Sequence, residues 1–366
     1  MSNPNCRHHG ARTKSRRRSS CYRIFLNEEQ ARKLIRIYEH KKFSTAPPQK
    51  LSNNPSAIAT HIRRVIKTVN VSKIKKRKFR VVVDACNGAG SAALPNLLEK
   101  LGCRVLPLNC NPSLPFPHPP EPTSENLNEL KKIVKEKNAD LGIALDSDAD
   151  RLALVSEKGE AIGEELTLAL AIKFVLENHK FLSARRKIVV VNLSTSQAID
   201  DLCKEYGVVL LRTKVGEVHV AEELKNLKGI IGGEGNGGVI YPPVGFNRDS
   251  LAAAALILNY LASSKKKLSE LVGEIPAYQM VKSKIKCHNL DEAYEFMAKI
   301  KSLFKDQDLI LTEGIKAIFP GAWIHVRPSN TEPILRIIAE AKEKEEAKQL
   351  IRKVFQALGQ NTAGNI

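Results

Sequence analysis

From about residue 79 onward, short apolar runs alternate with longer stretches of helical periodicity. This is the pattern of layered α/β structure, in which buried strands feed amphipathic helices. The pattern predicts strands at 79–83 and 104–108, a helix at 91–101, and a proline-rich loop at 112–122. A helix at 127–137 and a strand at 141–145 complete a first cycle, with a further strand at 152–155. A second cycle follows, with a helix from Glu165, strands at 188–191, 208–212 and 230–231, and a helix at 197–206. A third unit begins near Ala277, with strands at 323–326 and 334–339 and a closing helix at 343–358.

The first 78 residues read differently. Residues 1–25 show no periodicity and are expected to be disordered. A helix at 27–43 has Asn27 as N-cap, Glu28 and Glu29 in its first turn, and an apolar stripe of Leu34, Ile35 and Tyr38. Pro47-Pro48 ends it, and 56–69 reads as a second helix.

Charge sharpens this division. The formal charge is +19, yet residues 1–80 hold 22 Lys and Arg against 3 Asp and Glu, leaving 36 of each sign in the rest. The excess is local, and few aromatic side chains accompany it, so no nucleic-acid partner is expected. Seven cysteines without a Cys-x-x-Cys pair argue against a disulfide or zinc framework and for the cytoplasm. The longest apolar stretch, 251–258, is too short to cross a bilayer, so no membrane role is expected.

Three polar loops, each directly after an apolar strand and about 90 residues apart, carry the candidate chemistry. In the first, Asp146, Asp148 and Asp150 would repel one another without a cation between them, and short Ser147 and Ala149 let the backbone curl so that they converge on Mg²⁺. Arg151 adds a fixed charge suited to a phosphoryl oxygen. An EF-hand is excluded, because the position needing glycine is Arg151 and a strand pattern follows. In the second loop, Gly232 to Gly238, five glycines leave Glu234 and Asn236 as the functional side chains, suited to hydroxyls, although glycine runs also make plain hairpins. Lys214 follows a nearby strand end and could reach the same ligand, and Arg248-Asp249 could anchor the loop. In the third, Arg327, Ser329, Asn330 and Thr331 gather a guanidinium, hydroxyls, an amide and backbone N–H groups fit for a phosphate dianion. Gly88-x-Gly90-x-x-Ala93 outlines a dinucleotide turn, but the next strand ends at Asn109 where an acidic residue is required, so it reads as a tight strand-to-helix turn.

Taken together, Asp146–Arg151, Gly233–Gly238 and Arg327–Pro333 resemble the metal, sugar and phosphate loops of the α-D-phosphohexomutases, most closely the archaeal-type phosphoglucosamine and phosphomannomutases. Pro120-Glu121-Pro122-Thr123 and Thr213-Lys214-Val215-Gly216 agree, and Ser147 stands where the family has glycine. The resemblance implies repeated three-layer α/β domains plus a C-terminal α+β domain. The divisions it implies are 1–26 (basic), 27–72 (remnant of a first domain), 73–163 (metal loop), 164–275 (sugar loop) and 276–366 (phosphate loop). It further implies Mg²⁺, a hexose phosphate substrate with glucosamine favoured, and catalytic roles for Arg151 and Lys214. In the family a serine in a Ser-His-Asn-Pro loop carries the phosphoryl group. That motif does not occur in this sequence, the nearest stretch being Ser2-Asn3-Pro4, so impaired turnover is expected.

Overall fold

The structure is a computed structural model that describes residues 24–41, 56–178, 187–329 and 332–360. Ser2, Pro47-Pro48, Asn330, Thr331 and the basic segment 1–23 lie outside the described residues.

Four strands, β1 (Arg80–Asp84), β2 (Arg104–Leu108), β3 (Leu141–Leu145) and β4 (Leu152–Ser156), form a sheet in the order β2-β1-β3-β4. The first three run parallel and β4 returns antiparallel beside β3. A second sheet, built from β5 (Ile188–Asn192), β6 (Val209–Thr213), β7 (Ile231–Glu234) and β8 (Gly238–Ile240), has the order β6-β5-β7-β8 and the same directions. The repeat is thus topological. It needs only matching apolar strands and turns, which very different residues can supply. The metal loop joins β3 to β4, and the glycine loop joins β7 to β8, so the two loops hold equivalent places in the two units.

Between these sheets lie the helices Glu164–Asn178 and Ser250–Ser264, buried over most of their surfaces. A helix apolar all round must be buried on all sides. Both join one continuous core with Val83, Ile143, Val191 and Ile231 of the two sheets. The 251–258 run is therefore the middle of the protein, and no helix among the described residues is long and apolar enough to cross a membrane.

The C-terminal sheet comprises β9 (Gln279–Lys286), β10 (Asp308–Ile310), β11 (Ile315–Phe319), β12 (Ala322–Pro328) and β13 (Ile334–Ala341), all antiparallel in the order β10-β11-β12-β13-β9. Strand alternation splits β12 in two. Ile324 and Val326 enter a core with the helix Lys344–Ala357, while Trp323, His325 and Arg327 lie on the opposite face. That opposite face meets the second unit through polar contacts. His325 Nδ1 and Ser194 Oγ are 2.9 Å apart, Lys316 Nζ donates to Leu193 O at 2.6 Å, and Glu340 Oε2 accepts from Gln197 N and Trp323 Nε1, each at 2.7 Å.

The N-terminal helices depart from expectation. The first spans Glu28–Glu39, with the Asn27 cap joined reciprocally to Gln30, and it buries no residue. Its stripe of Leu34, Ile35 and Tyr38 remains exposed. The second ends at Ile66, and a separate helix, Val71–Arg77, starts at an Asn70 cap that the run of lysines obscured. Ile62, Val65 and Ile74 are fully buried in the main core, so 56–77 is not a loose appendage of the helix before it.

Candidate functional site

Asp146 stands at the end of β3 with its carboxylate buried. Its Oδ1 accepts from the backbone N–H of Asp150 and Arg151, and its Oδ2 accepts from Arg151 Nε at 2.6 Å. Ala149 takes a left-handed conformation at φ 61°, which curls the loop as the short residues suggested. Ligand oxygens of Asp146, Asp148 and Asp150 all lie within 4.8 Å of one another. Buried Asp150 Oδ1 has no hydrogen-bond partner, and Asp148 is exposed. Three convergent hard oxygens, one of them orphaned, fit a divalent cation such as Mg²⁺. The electrostatics agree. Burial opposes ionisation of Asp146, but Arg151 and the loop amides hold its carboxyl below the usual range. Burial, aided by Asp146 and only partly offset by Arg248, pushes Asp150 up to about 7.

Arg151 is engaged with Asp146 and, at 3.3 Å, with Glu121 of the Pro120–Thr123 stretch. In this state its guanidinium orients the Asp146 carboxylate. The Gly88-Gly90 turn supports the same loop. Ala89 N donates to Ser147 O, and a Cβ at Gly88 would lie 2.4 Å from that oxygen. The turn is filled by the metal loop, which leaves no room there for a dinucleotide.

The glycine loop needs a correction. Gly232, Gly233 and Glu234 are strand residues of β7. A Cβ at Gly232 would lie 2.1 Å from Val190 O, and one at Gly235 would lie 2.0 Å from the Glu165 carboxylate. These glycines answer close packing within the protein. Glu234 is buried, and its Oε1 accepts from Asn192 Nδ2 and Gly216 N, its Oε2 from Arg248 Nη1. Asn236 is half-buried and accepts from Gly238 N.

Arg248 ties the first two loops together. It donates to Glu234 at 2.9 Å and to Asp150 at 2.5 Å, and its Nε lies 3.3 Å from Glu217. A second bridge runs to the third loop. Val215 N donates to Glu313 Oε2 at 2.5 Å, and Glu313 Oε1 lies 3.6 Å from Arg327 Nη1. Because Gly216 N meets Glu234 and Val215 N meets Glu313, one path runs from Asp150 through Arg248, Glu234, residues 215–216 and Glu313 to Arg327. Lys214 is exposed beside that path. Burial holds the Arg327 guanidinium below its ordinary value, and its Nε is buried without a partner. Ser329 N donates to Ile334 O across the loop base.

Sequence reading anticipated an anchoring role for Arg248 but missed Glu313, Glu217 and Asn192. Glu313-Gly314 joins two short strands, β10 and β11, that the sequence reading did not place. A signal lies in Gly314, which adopts φ 65° and has no space for a Cβ against Val326 O at 2.3 Å.

The family models described as phosphoglucomutase/phosphomannomutase α/β/α domain II, α/β/α domain III and C-terminal domain match residues 59–159, 163–278 and 283–357. The chain belongs to the phosphoglucomutase/phosphomannomutase family. A Thermococcus kodakarensis family protein named "Phosphoglucomutase/phosphomannomutase" is 41% identical over 297 residues, which are 80% of this chain and 64% of that one. A Methanosarcina barkeri protein named "Probable phosphoglucosamine mutase" is 38% identical over 320 residues, 86% of this chain and 70% of the relative. The chain therefore spans about two thirds of the length of these relatives. A family structure from Burkholderia thailandensis superposes with a TM-score of 0.78 at 21% identity, covering 93% of this chain and 72% of that one, and so shares the fold.

Proposed function

We propose that this chain is the metal- and substrate-binding body of a hexose-phosphate mutase, with glucosamine 1- and 6-phosphates as favoured ligands. The observation that carries the reading is the unbroken path from Asp150 to Arg327, which holds the three loops in one cluster. Arg327 and Ser329, with Asn330 and Thr331, grip the phosphate that does not react. Glu234 and Asn236 meet the sugar hydroxyls, Glu234 exchanging one of its internal bonds to do so. Lys214 adds a mobile cation beside them. Asp146, Asp148 and Asp150 hold Mg²⁺, which when bound neutralises charge on the phosphoryl group in transfer. Arg151 keeps Asp146 ionised and oriented for that task. The names of the relatives support this substrate class. Unpaired Cys86, Cys103, Cys110, Cys203 and Cys287 suit the cytoplasm we propose for it.

The 366 residues contain no Ser-His-Asn-Pro, so we expect this chain to bind far better than it turns over. That observation favours a second reading, a sugar-phosphate binder without catalysis. An assay of the chain with Mg²⁺, a hexose 1,6-bisphosphate primer and glucosamine, glucose or mannose 1-phosphate separates the two. Turnover abolished by Asp148→Asn supports a mutase in which a serine such as Ser2 carries the phosphoryl group. Saturable bisphosphate binding that needs Arg327, without turnover, supports the binder. Neither binding nor turnover would sink both.

A further inference from the structure

The Arg327 guanidinium faces a carboxylate of its own chain. Glu313 lies in the short connection between β10 and β11, with Oε1 3.6 Å from Arg327 Nη1 and Oε2 accepting from Val215 N at 2.5 Å. It bridges a guanidinium and a free-standing backbone amide beside Lys214. Those are the donors that an oxyanion such as a phosphate monoester takes.

This placement is built into the fold. His325 Nε2 lies 2.7 Å from Glu313 O, while His325 Nδ1 meets Ser194 Oγ of the second unit at 2.9 Å. Gly314, at φ 65°, lets the turn press onto β12, where a Cβ would lie 2.7 Å from Arg327 Cβ. The pairing itself is poor for an arginine. Among the described residues its one ion pair, to Glu313, is beyond hydrogen-bond length, no bidentate fork with that carboxylate forms, and buried Arg327 Nε is unsatisfied. A carboxylate fixed to this turn reaches one edge of the guanidinium and leaves the rest unused. A phosphate, with three free oxygens, can serve Nη1, Nη2 and the Val215 amide together.

We propose that Glu313 is an internal competitor for the phosphate position: its carboxylate stands between Arg327 and Val215 where the ligand's phosphate binds, and the phosphate displaces it. The proposal rests on the reading of Arg327 as phosphate clamp and adds what that clamp holds before substrate arrives. Displacement passes the Val215 amide and Arg327 to the phosphate in one event, so the anion takes over the tie between the Lys214 loop and the C-terminal domain. If Glu313 instead aligned Arg327 and stayed in place, its removal would weaken phosphate binding, which is the opposite sign.

Calorimetric titration of the full chain with inorganic phosphate and with glucosamine 6-phosphate tests this. The proteins are wild type, Glu313→Gln (which keeps shape and an acceptor for Val215 while losing the charge), Glu313→Ala, and Arg327→Ala. Removing a like charge this close to a bound dianion tightens binding by about tenfold. Both Glu313 variants are therefore expected to bind phosphate about tenfold more tightly, and Arg327→Ala to lose binding. Unchanged or weaker affinity in the Glu313 variants, with Arg327-dependent binding intact in wild type, overturns the competitor role and leaves the clamp standing. Binding that ignores Arg327, or none in any of the proteins, overturns the clamp and the competitor together.

Discussion

Arg248 offers the sharpest test of how the site is held. It contacts Asp150, Glu217 and Glu234, whose side chains are 19%, 9% and 6% exposed, while its own is 18% exposed. Arg248→Met keeps most of the volume and removes the charge, leaving three largely buried carboxylates facing the space it filled. Breaking a buried ion pair by deleting one partner costs about 3–5 kcal/mol, mostly through the charge left behind. With three partners deprived at once, we expect a loss within that range, and about half of it for Arg248→Lys, which retains charge without the fork. Urea unfolding followed by circular dichroism in EDTA measures both. Adding Mg²⁺ should restore part of the loss, since a divalent ion recruits Asp150 and supplies the missing positive charge. A loss under about 1 kcal/mol, or one that Mg²⁺ leaves untouched, would refute the claim that Arg248 neutralises this cluster.

Other consequences follow from the same geometry. Gly88→Ala places a Cβ 2.4 Å from Ser147 O, so the metal loop must shift and Mg²⁺ affinity by titration calorimetry should fall about tenfold with all three ligands intact. Burial pushes the His325 imidazole down to about 4 from 6.5, so the folded state holds fewer protons there than the unfolded state between those values. Stability should therefore decline as pH falls from 6.5 toward 4, by up to about 3 kcal/mol, and His325→Gln should flatten that slope in urea melts at pH 4.5 and 7. Leu34→Glu and Ile35→Glu should change stability by less than about 0.5 kcal/mol, since both side chains are more than half exposed; a larger loss would mean that the helix Glu28–Glu39 packs against something in solution.

The element pattern was legible because it rests on local physics. Apolar runs placed nine of the thirteen described strands, most within a residue or two, but left β8, β9, β10 and β11 unread, and Asn27 capped the first helix as its short polar side chain requires. The three aspartates stood out because they sit at alternate positions directly after an apolar strand, and the curl at Ala149 brings their oxygens together. The glycine loop was harder to read. Glycine permits close approach, but a sequence does not say whether a ligand or the protein's own backbone approaches, and at Gly232 and Gly235 it is the protein. Glu313 and Arg248 act across 98 residues each, to Val215 and Asp150, and long-range partners leave no local mark.

The sequence by itself determined three strand-borne polar loops, their donor chemistry, the α/β layering and the local origin of the excess charge. Only the tertiary structure decided that the first two loops are the same hairpin in two topological copies, that the 251–258 run is the shared core helix, and that Arg248 and Glu313 join the loops. The physical reason is range. Side-chain periodicity and backbone propensity act over a few residues and are written in order along the chain. The partner of a buried charge is chosen by whichever strand end the fold brings within about 3 Å of it.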